Sequence, residues 1–228
     1  MSFTTFSGNI RNPQVLYESS KKSKWILSEH DFYTLDEIRK IKHYLEKERI
    51  KALNRSRKIP VKNWLVINLA FETGLRVSEI ARLACGDLFL TEKCPFLIVR
   101  CGKYNKSRIV KLAKAFSLKL KWYLEWKQSV GESTDPGSPL IISSNTGKAI
   151  SVRALQYIFK NVLNRIGIRK QNNIHMARHT YATHLLRANN RDIVFVKEQL
   201  GHSTIEVTQV YLHVIESDAQ KALDRLYK

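Results

Sequence analysis

The chain has 228 residues, of which 43% are hydrophobic and 10% aromatic; this is material for one packed domain, with or without a short appendage, and it excludes wholesale disorder. Lys and Arg number 39 against 20 Asp and Glu, a formal charge of +19, which points to a polyanionic partner. The longest nearly unbroken apolar run, Trp64 to Phe71, is interrupted by Asn68 and falls well short of a bilayer crossing, and the polar start Met1-Ser2-Phe3 offers neither a signal peptide nor a myristoylation glycine, so no membrane association and a cytoplasmic location are expected.

In chain order, Thr34 and Glu37 form a capping box ahead of Leu35, Ile38, Ile41 and Leu45, whose spacing predicts one apolar helix face. Pro60 suits a first helical turn; the apolar run to Phe71 then reads as a central buried helix that Gly74 ends. A second helix is predicted from about Leu75 through Leu83. Phe96 to Cys101 and Arg108 to Leu112 read as the strands of a hairpin whose tip, Gly102 to Ser107, is basic. Lys114 to Lys127 carries Phe116, Trp122, Tyr123 and Trp126 in a helical stretch, and Gly131 to Pro139 reads as a loop that could divide sub-lobes. Ser151 caps a helix in which Leu155, Ile158, Phe159, Val162, Leu163 and Ile166 share a face and Gly167 is the stop. Further helices are predicted at about 176–189, 192–200, 204–213 and 217–227. The fold class is α+β, mainly α, with a small antiparallel sheet.

The charge is unevenly placed: residues 1–60 carry +6, 61–99 carry 0, 100–170 carry +12 and 171–228 carry +1. A solvated face mixes signs, whereas a segment at +12 makes a field suited to nucleic acid. Cys85, Cys94 and Cys101 are odd in number and lack any C-x-x-C spacing, so they read as buried reduced thiols rather than a disulfide framework or a zinc site. His175 and His179 stand at i, i+4, but Met176 occupies the position where a metalloprotease needs Glu, so no metal is expected there.

Five separated motifs occur in one order: Thr73-Gly74-Leu75-Arg76-Val77-Ser78-Glu79-Ile80; Gly102-Lys103 in the hairpin; His175-x-x-Arg178-His179-Thr180; Leu200-Gly201-His202-Ser203; and Thr208-Gln209-x-Tyr211, nine residues beyond His202. Together they resemble the tyrosine recombinases, or phage integrase family, over about residues 26–228. Two departures, Ala177 where the family often has Leu and Tyr104 where it often has Gly, remove no reacting group.

The resemblance implies site-specific cleavage and rejoining of double-stranded DNA through a 3′-phosphotyrosyl intermediate, without metal, ATP or another cofactor. Tyr211 would be the nucleophile, Arg76 and Arg178 the clamp on the non-bridging oxygens, His175 the acceptor of the tyrosine proton, His202 a hydrogen-bond donor to phosphate, and Lys103 the acid for the leaving 5′-oxygen. Lys103 is assigned by its place after Gly102, and Lys106 and Arg108 would touch phosphate; the alternative is that all three do only that. Glu79 would orient its neighbours and His179 would be structural. Arg153, Gln156 and Lys160 share one side of a helix that would either contact DNA or form an ordinary solvated face. Residues 1–25 are expected to be a flexible extension, 26–228 the catalytic domain, and the usual N-terminal DNA-clamping module to be absent, as in the short fimbrial-switch recombinases or in an excised domain. The implied assembly is a homo-tetramer on two paired DNA sites, with accessory DNA-binding proteins, and the segment Ser217–Tyr227 would dock on an adjacent protomer or pack on its own domain. Relaxation of supercoils in the manner of a type IB topoisomerase, or DNA binding without reaction, are the competing activities.

Overall fold

A computed structural model describes residues 29–100, 107–168, 173–205 and 207–212. A 3-10 turn at Glu29–Asp31 leads into seven helices: α1 (Leu35–Leu53), α2 (Lys58–Thr73), α3 (Val77–Arg82), α4 (Lys114–Ser129), α5 (Val152–Arg165), α6 (Ile174–Ala188) and α7 (Ile193–Leu200). Between α3 and α4 lie strands β1 (Leu88–Phe89), β2 (Phe96–Val99) and β3 (Arg108–Lys111), and residues 207–212 are again helical. The strands form one antiparallel sheet in the order β1-β2-β3, with Leu88 opposite Leu97, and Leu97 opposite Val110.

Helix α2 is the hub, packed by α1, α4, α5 and α6. Its apolar residues all around the axis explain this: Val61, Leu65, Val66, Leu69 and Ala70 are buried on every side. The lysine-rich sequence at its start still becomes helix from Lys58, two residues ahead of Pro60. The first turn's N–H groups have no intrahelical partner, so a missing donor there costs nothing. The α1 capping box forms as the spacing predicts: Glu37 N–H donates to Thr34 Oγ1 at 3.2 Å, and Thr34 N–H to Glu37 Oε2 at 2.8 Å. Ile41 and Leu45 are buried, but Leu35 is 55% exposed, although Tyr33 just ahead of it is fully buried. On α5, Ser151 caps the predicted helix through Ala154 N–H at 3.2 Å, and Leu155, Phe159, Val162 and Leu163 are buried.

Two readings of the loops are corrected. The 131–139 segment does not divide sub-lobes: Cys85 N–H donates to Ser138 O at 2.9 Å and Leu140 N–H to Leu83 O at 2.8 Å, lacing it to the end of α3. Glu132 secures it further, with Lys62 Nζ at 2.7 Å and Lys127 Nζ at 3.6 Å from its two oxygens. Cys85 is buried as expected, whereas Cys94 is exposed in the turn between β1 and β2; Cys101 lies outside the described residues.

Gly74 ends α2 with φ of 61°, and a Cβ there would overlap Cδ1 of Tyr181 and come within 2.9 Å of Leu200 Cδ2. Left-handed backbone and steric overlap act together, so Gly74→Ala is expected to destabilise the fold by about 2–3 kcal/mol. Urea denaturation measures this, and a loss under about half a kcal/mol would contradict it.

Candidate active site

Gly74 is also where the site begins. The chain leaves α2 in the left-handed conformation and places Arg76 as the N-cap of α3, which begins at Val77, two residues later than the sequence predicts. Glu79, in the first turn of α3, accepts from Arg76 N–H at 2.7 Å and from its guanidinium Nη1 at 2.9 Å. Arg76 Nη2 reaches Gly201 O at 3.4 Å.

Arg178 sits on α6 and is 6% exposed. Its Nη1 donates to Gly74 O at 2.7 Å and its Nη2 to Leu200 O at 2.8 Å, the carbonyls that close α2 and α7. Helix C-termini carry partial negative charge and unpaired carbonyls, so a buried guanidinium finds both acceptors and a favourable field there. Burial first, then the charge of Arg76, lowers the Arg178 pKa to about 10, which leaves it a cation at neutral pH.

Arg108, at the start of β3, is expected from the sequence to touch phosphate; here its fork is closed on Glu79, Nη1 to Oε1 at 2.7 Å and Nη2 to Oε2 at 2.8 Å. Its stem crosses Gly201 so closely that a Cβ would lie 2.6 Å from Arg108 Cδ, which is why glycine, at φ of 66°, stands there. Gln199, buried on α7, accepts from Lys111 N–H at 3.1 Å and so ties β3 to α7. Burial by itself would raise the Glu79 carboxyl. Its bonds to Arg108 and Arg76 outweigh that and hold it at about 2.

Tyr211 is buried at 3% exposure against Phe32, Ala182, Leu186, Val196 and Leu200. Its hydroxyl lies 3.0 Å from Nδ1 of His179, and its ring runs parallel to that of His202, with centroids 6.4 Å apart. Burial pushes the phenol up to about 12 against the opposing pull of Arg178 and Arg76. His202 is held neutral, its pKa lowered to about 3 by burial and then by Arg178, Arg76 and Arg108; its Nδ1 is 2.9 Å from Thr208 Oγ1. His175 and His179 are both lowered too, by burial first and the Arg178 charge second. Beside His202, between the sheet and α7, opens a hollow of about 570 Å³ that Ser107, Arg108 and Lys197 also line.

The structure thus gathers Arg76, Arg178, His202 and Tyr211 around shared contacts, with His175 exposed at the start of α6 within reach of the fields of both arginines. Arg153 and Lys160 stand, with Gln156, on the exposed face of α5. Lys103, Lys106, Tyr227 and the segment Ser217–Tyr227 lie outside the described residues. The sequence reading missed the contact of His179 with the tyrosine, the bridging of two arginines by Glu79, and Thr208 and Gln199. The two signals available were polar side chains on otherwise apolar helix faces: Gln199 beside Val196 and Leu200, and Thr208 one turn before Tyr211. Among the described residues no group of three or more His, Cys, Asp or Glu could hold a metal ion, and no helix is long and apolar enough to cross a membrane.

Among the described residues, the site is a buried phenol, Tyr211, under the fields of two arginines, Arg178 and Arg76. The pattern of the phage integrase family matches residues 32–217, and the chain belongs to that family. It is 31% identical over 208 residues to the tyrosine recombinase XerD of Oceanobacillus iheyensis, covering 90% of this chain and 64% of that protein. It is 40% identical over 154 residues to XerD of Rhizobium meliloti, covering 66% of this chain and 47% of that one. Among solved structures, XerH site-specific recombinase bound to a palindromic difH substrate superposes with a TM-score of 0.70 at 26% identity, over 86% of this chain and 53% of that one. XerA recombinase gives a TM-score of 0.68 at 25% identity, over 86% and 65%. The chain therefore spans less than two thirds of the length of these relatives.

Proposed function

We propose that residues 26–228 are the catalytic domain of a site-specific DNA recombinase that cuts and rejoins double-stranded DNA through Tyr211. The observation that carries this is the placement of the Tyr211 hydroxyl 3.0 Å from His179, with its ring parallel to that of His202, in the fields of Arg178 and Arg76. The two guanidiniums would clamp the non-bridging oxygens of a phosphodiester, because a planar fork suits two-point contact and keeps its charge. Glu79 holds Arg76 in place without neutralising the site, since Arg108 offsets its charge.

A phenol pushed up to about 12 is almost wholly protonated at neutral pH, so attack needs a base. Two histidines one turn apart on α6 are available. His179 holds the hydroxyl in the buried position, and at 3% exposure Tyr211 meets no DNA there. In the attacking position the phenol must move outward, and His175, exposed one turn earlier on α6, is the histidine that DNA reaches. His175 then takes the phenolic proton as the tyrosine oxygen bonds to phosphorus; the P–O5′ bond breaks, and Lys103 protonates the leaving oxygen. His202 hydrogen-bonds a non-bridging oxygen. The linkage energy is kept in the phosphotyrosine, and attack by a 5′-hydroxyl reverses it.

Lys106, Arg108, Arg153 and Lys160 would contact the DNA backbone or bases, and such phosphate contacts make binding fall steeply with salt. The XerH structure holds a relative of this chain on its DNA substrate. Recombination joins two sites, so a homo-tetramer on paired duplexes is the assembly proposed, aided by accessory DNA-binding proteins. A nicked suicide duplex, carrying the sequence selected by the protein from a genomic fragment pool, is expected to trap a detergent-stable protein–DNA adduct. An adduct missing with the wild type, or persisting with Tyr211→Phe, rejects the assignment.

A further inference from the structure

Thr208 is fully buried in the helix at 207–212, one turn ahead of Tyr211, and its hydroxyl lies 2.9 Å from Nδ1 of His202. Among the described residues this ring nitrogen is the hydroxyl's hydrogen-bond partner. A hydroxyl brings one proton to donate and lone pairs to accept. Leaving a buried O–H without an acceptor costs more than leaving a lone pair empty. The Thr208 O–H therefore donates, and Nδ1 accepts.

A ring nitrogen that accepts carries no proton. Charging the imidazole is opposed by burial and by Arg178, Arg76 and Arg108 around it, so the ring is neutral and its single proton sits on the other nitrogen. We propose that Thr208 is a positioning residue that locks His202 as the Nε2–H tautomer, leaving the outer ring nitrogen as a fixed donor for a phosphate oxygen. The inference rests on the strand-transfer reading above. Its chemical sense is clear from the alternative: with the proton on Nδ1, a lone pair on Nε2 would face the lone pairs of the phosphate and repel them. A locked Nε2–H also removes His202 from the candidates for the base, since its outer nitrogen already carries the proton and has no free lone pair, and Nδ1 is taken by Thr208.

The test is a long-range proton–nitrogen correlation spectrum of the full chain labelled with nitrogen-15 histidine, with His202→Asn identifying the signals. Wild type is expected to show a protonated Nε2 and a bare Nδ1 at pH 7. Thr208→Ser is expected to keep that pattern and to form the suicide adduct within about threefold of the wild-type rate. Thr208→Val, which keeps the shape and removes the donor, is expected to show a mixture of tautomers and to form the adduct roughly ten to a hundred times more slowly. A protonated Nδ1 in wild type overturns the proposal even if the valine variant does not fold, and so does an unchanged His202 pattern in a folded Thr208→Val. An Nε2–H pattern in a wild type that forms no adduct upholds the Thr208 assignment and overturns the strand-transfer reading instead.

Discussion

Arg178→Lys is expected to slow single-turnover adduct formation by at least about a thousandfold while retaining the positive charge. The reason is geometric. One planar fork donates at once to Gly74 O and Leu200 O, carbonyls 104 and 22 residues away in the chain, and its remaining donors are the ones left for phosphate. An ammonium on a four-carbon stem satisfies one of these acceptors at a time, and it loses the two-point presentation to phosphate. Arg178→Ala removes the bridge entirely and leaves two buried carbonyls without their donor, so it is expected to cost about 3 kcal/mol of stability in addition. Urea denaturation of both variants separates the effects. A lysine variant within tenfold of wild type would show that charge rather than the fork carries the role, and an alanine variant as stable as wild type would show that the bridge does not close the fold.

This double use of Arg178 marks the boundary of what the sequence makes legible. Local signals read well: Leu155, Phe159, Val162 and Leu163 share a helical face and are all buried, Thr34 and Glu37 cap α1, and Gly74 and Gly201 end α2 and α7 in the left-handed conformation that glycine tolerates. The ordered motifs alone put Arg76, Lys103, His175, Arg178, His202 and Tyr211 in one set. What stayed hidden depends on pairings across the chain. Arg108 reads as a free basic residue of a hairpin until Glu79, 29 residues earlier, is folded against it. His175 and His179 lie at i, i+4, and only the position of the 207–212 helix decides which one meets the phenol. Lys62 and Lys127, at 4% and 0% exposure, break the rule that lysine stays in water, because Glu132 and the carbonyl of Ile142 receive them. Strand β1 is two residues long, too short for any alternation to show, and exists through its pairing with β2.

The pH dependence of cleavage separates the two α6 histidines. If hydroxide removed the proton of a phenol with a pKa of about 12, the rate would climb tenfold per unit, a hundredfold between pH 7 and 9. With a histidine as base the rate follows the neutral imidazole instead. Both His175 and His179 are lowered from their ordinary value near 6.5, so the neutral form dominates above that value and is lost only as the pH falls below it. Single-turnover cleavage by wild type is therefore expected to change by less than about threefold from pH 7 to 9 and to decline below pH 6.5. His175→Asn is expected to lose the plateau and acquire the tenfold rise per unit, since hydroxide is then the only base left at the exposed end. His179→Asn is expected to keep the plateau at an altered height, because it alters how Tyr211 is held and not where its proton goes. A steep rise in wild type would reject a histidine base altogether, whereas a plateau lost in His179→Asn and kept in His175→Asn would place the base at the residue that touches the phenol in the buried position, and would mean that Tyr211 attacks without leaving it.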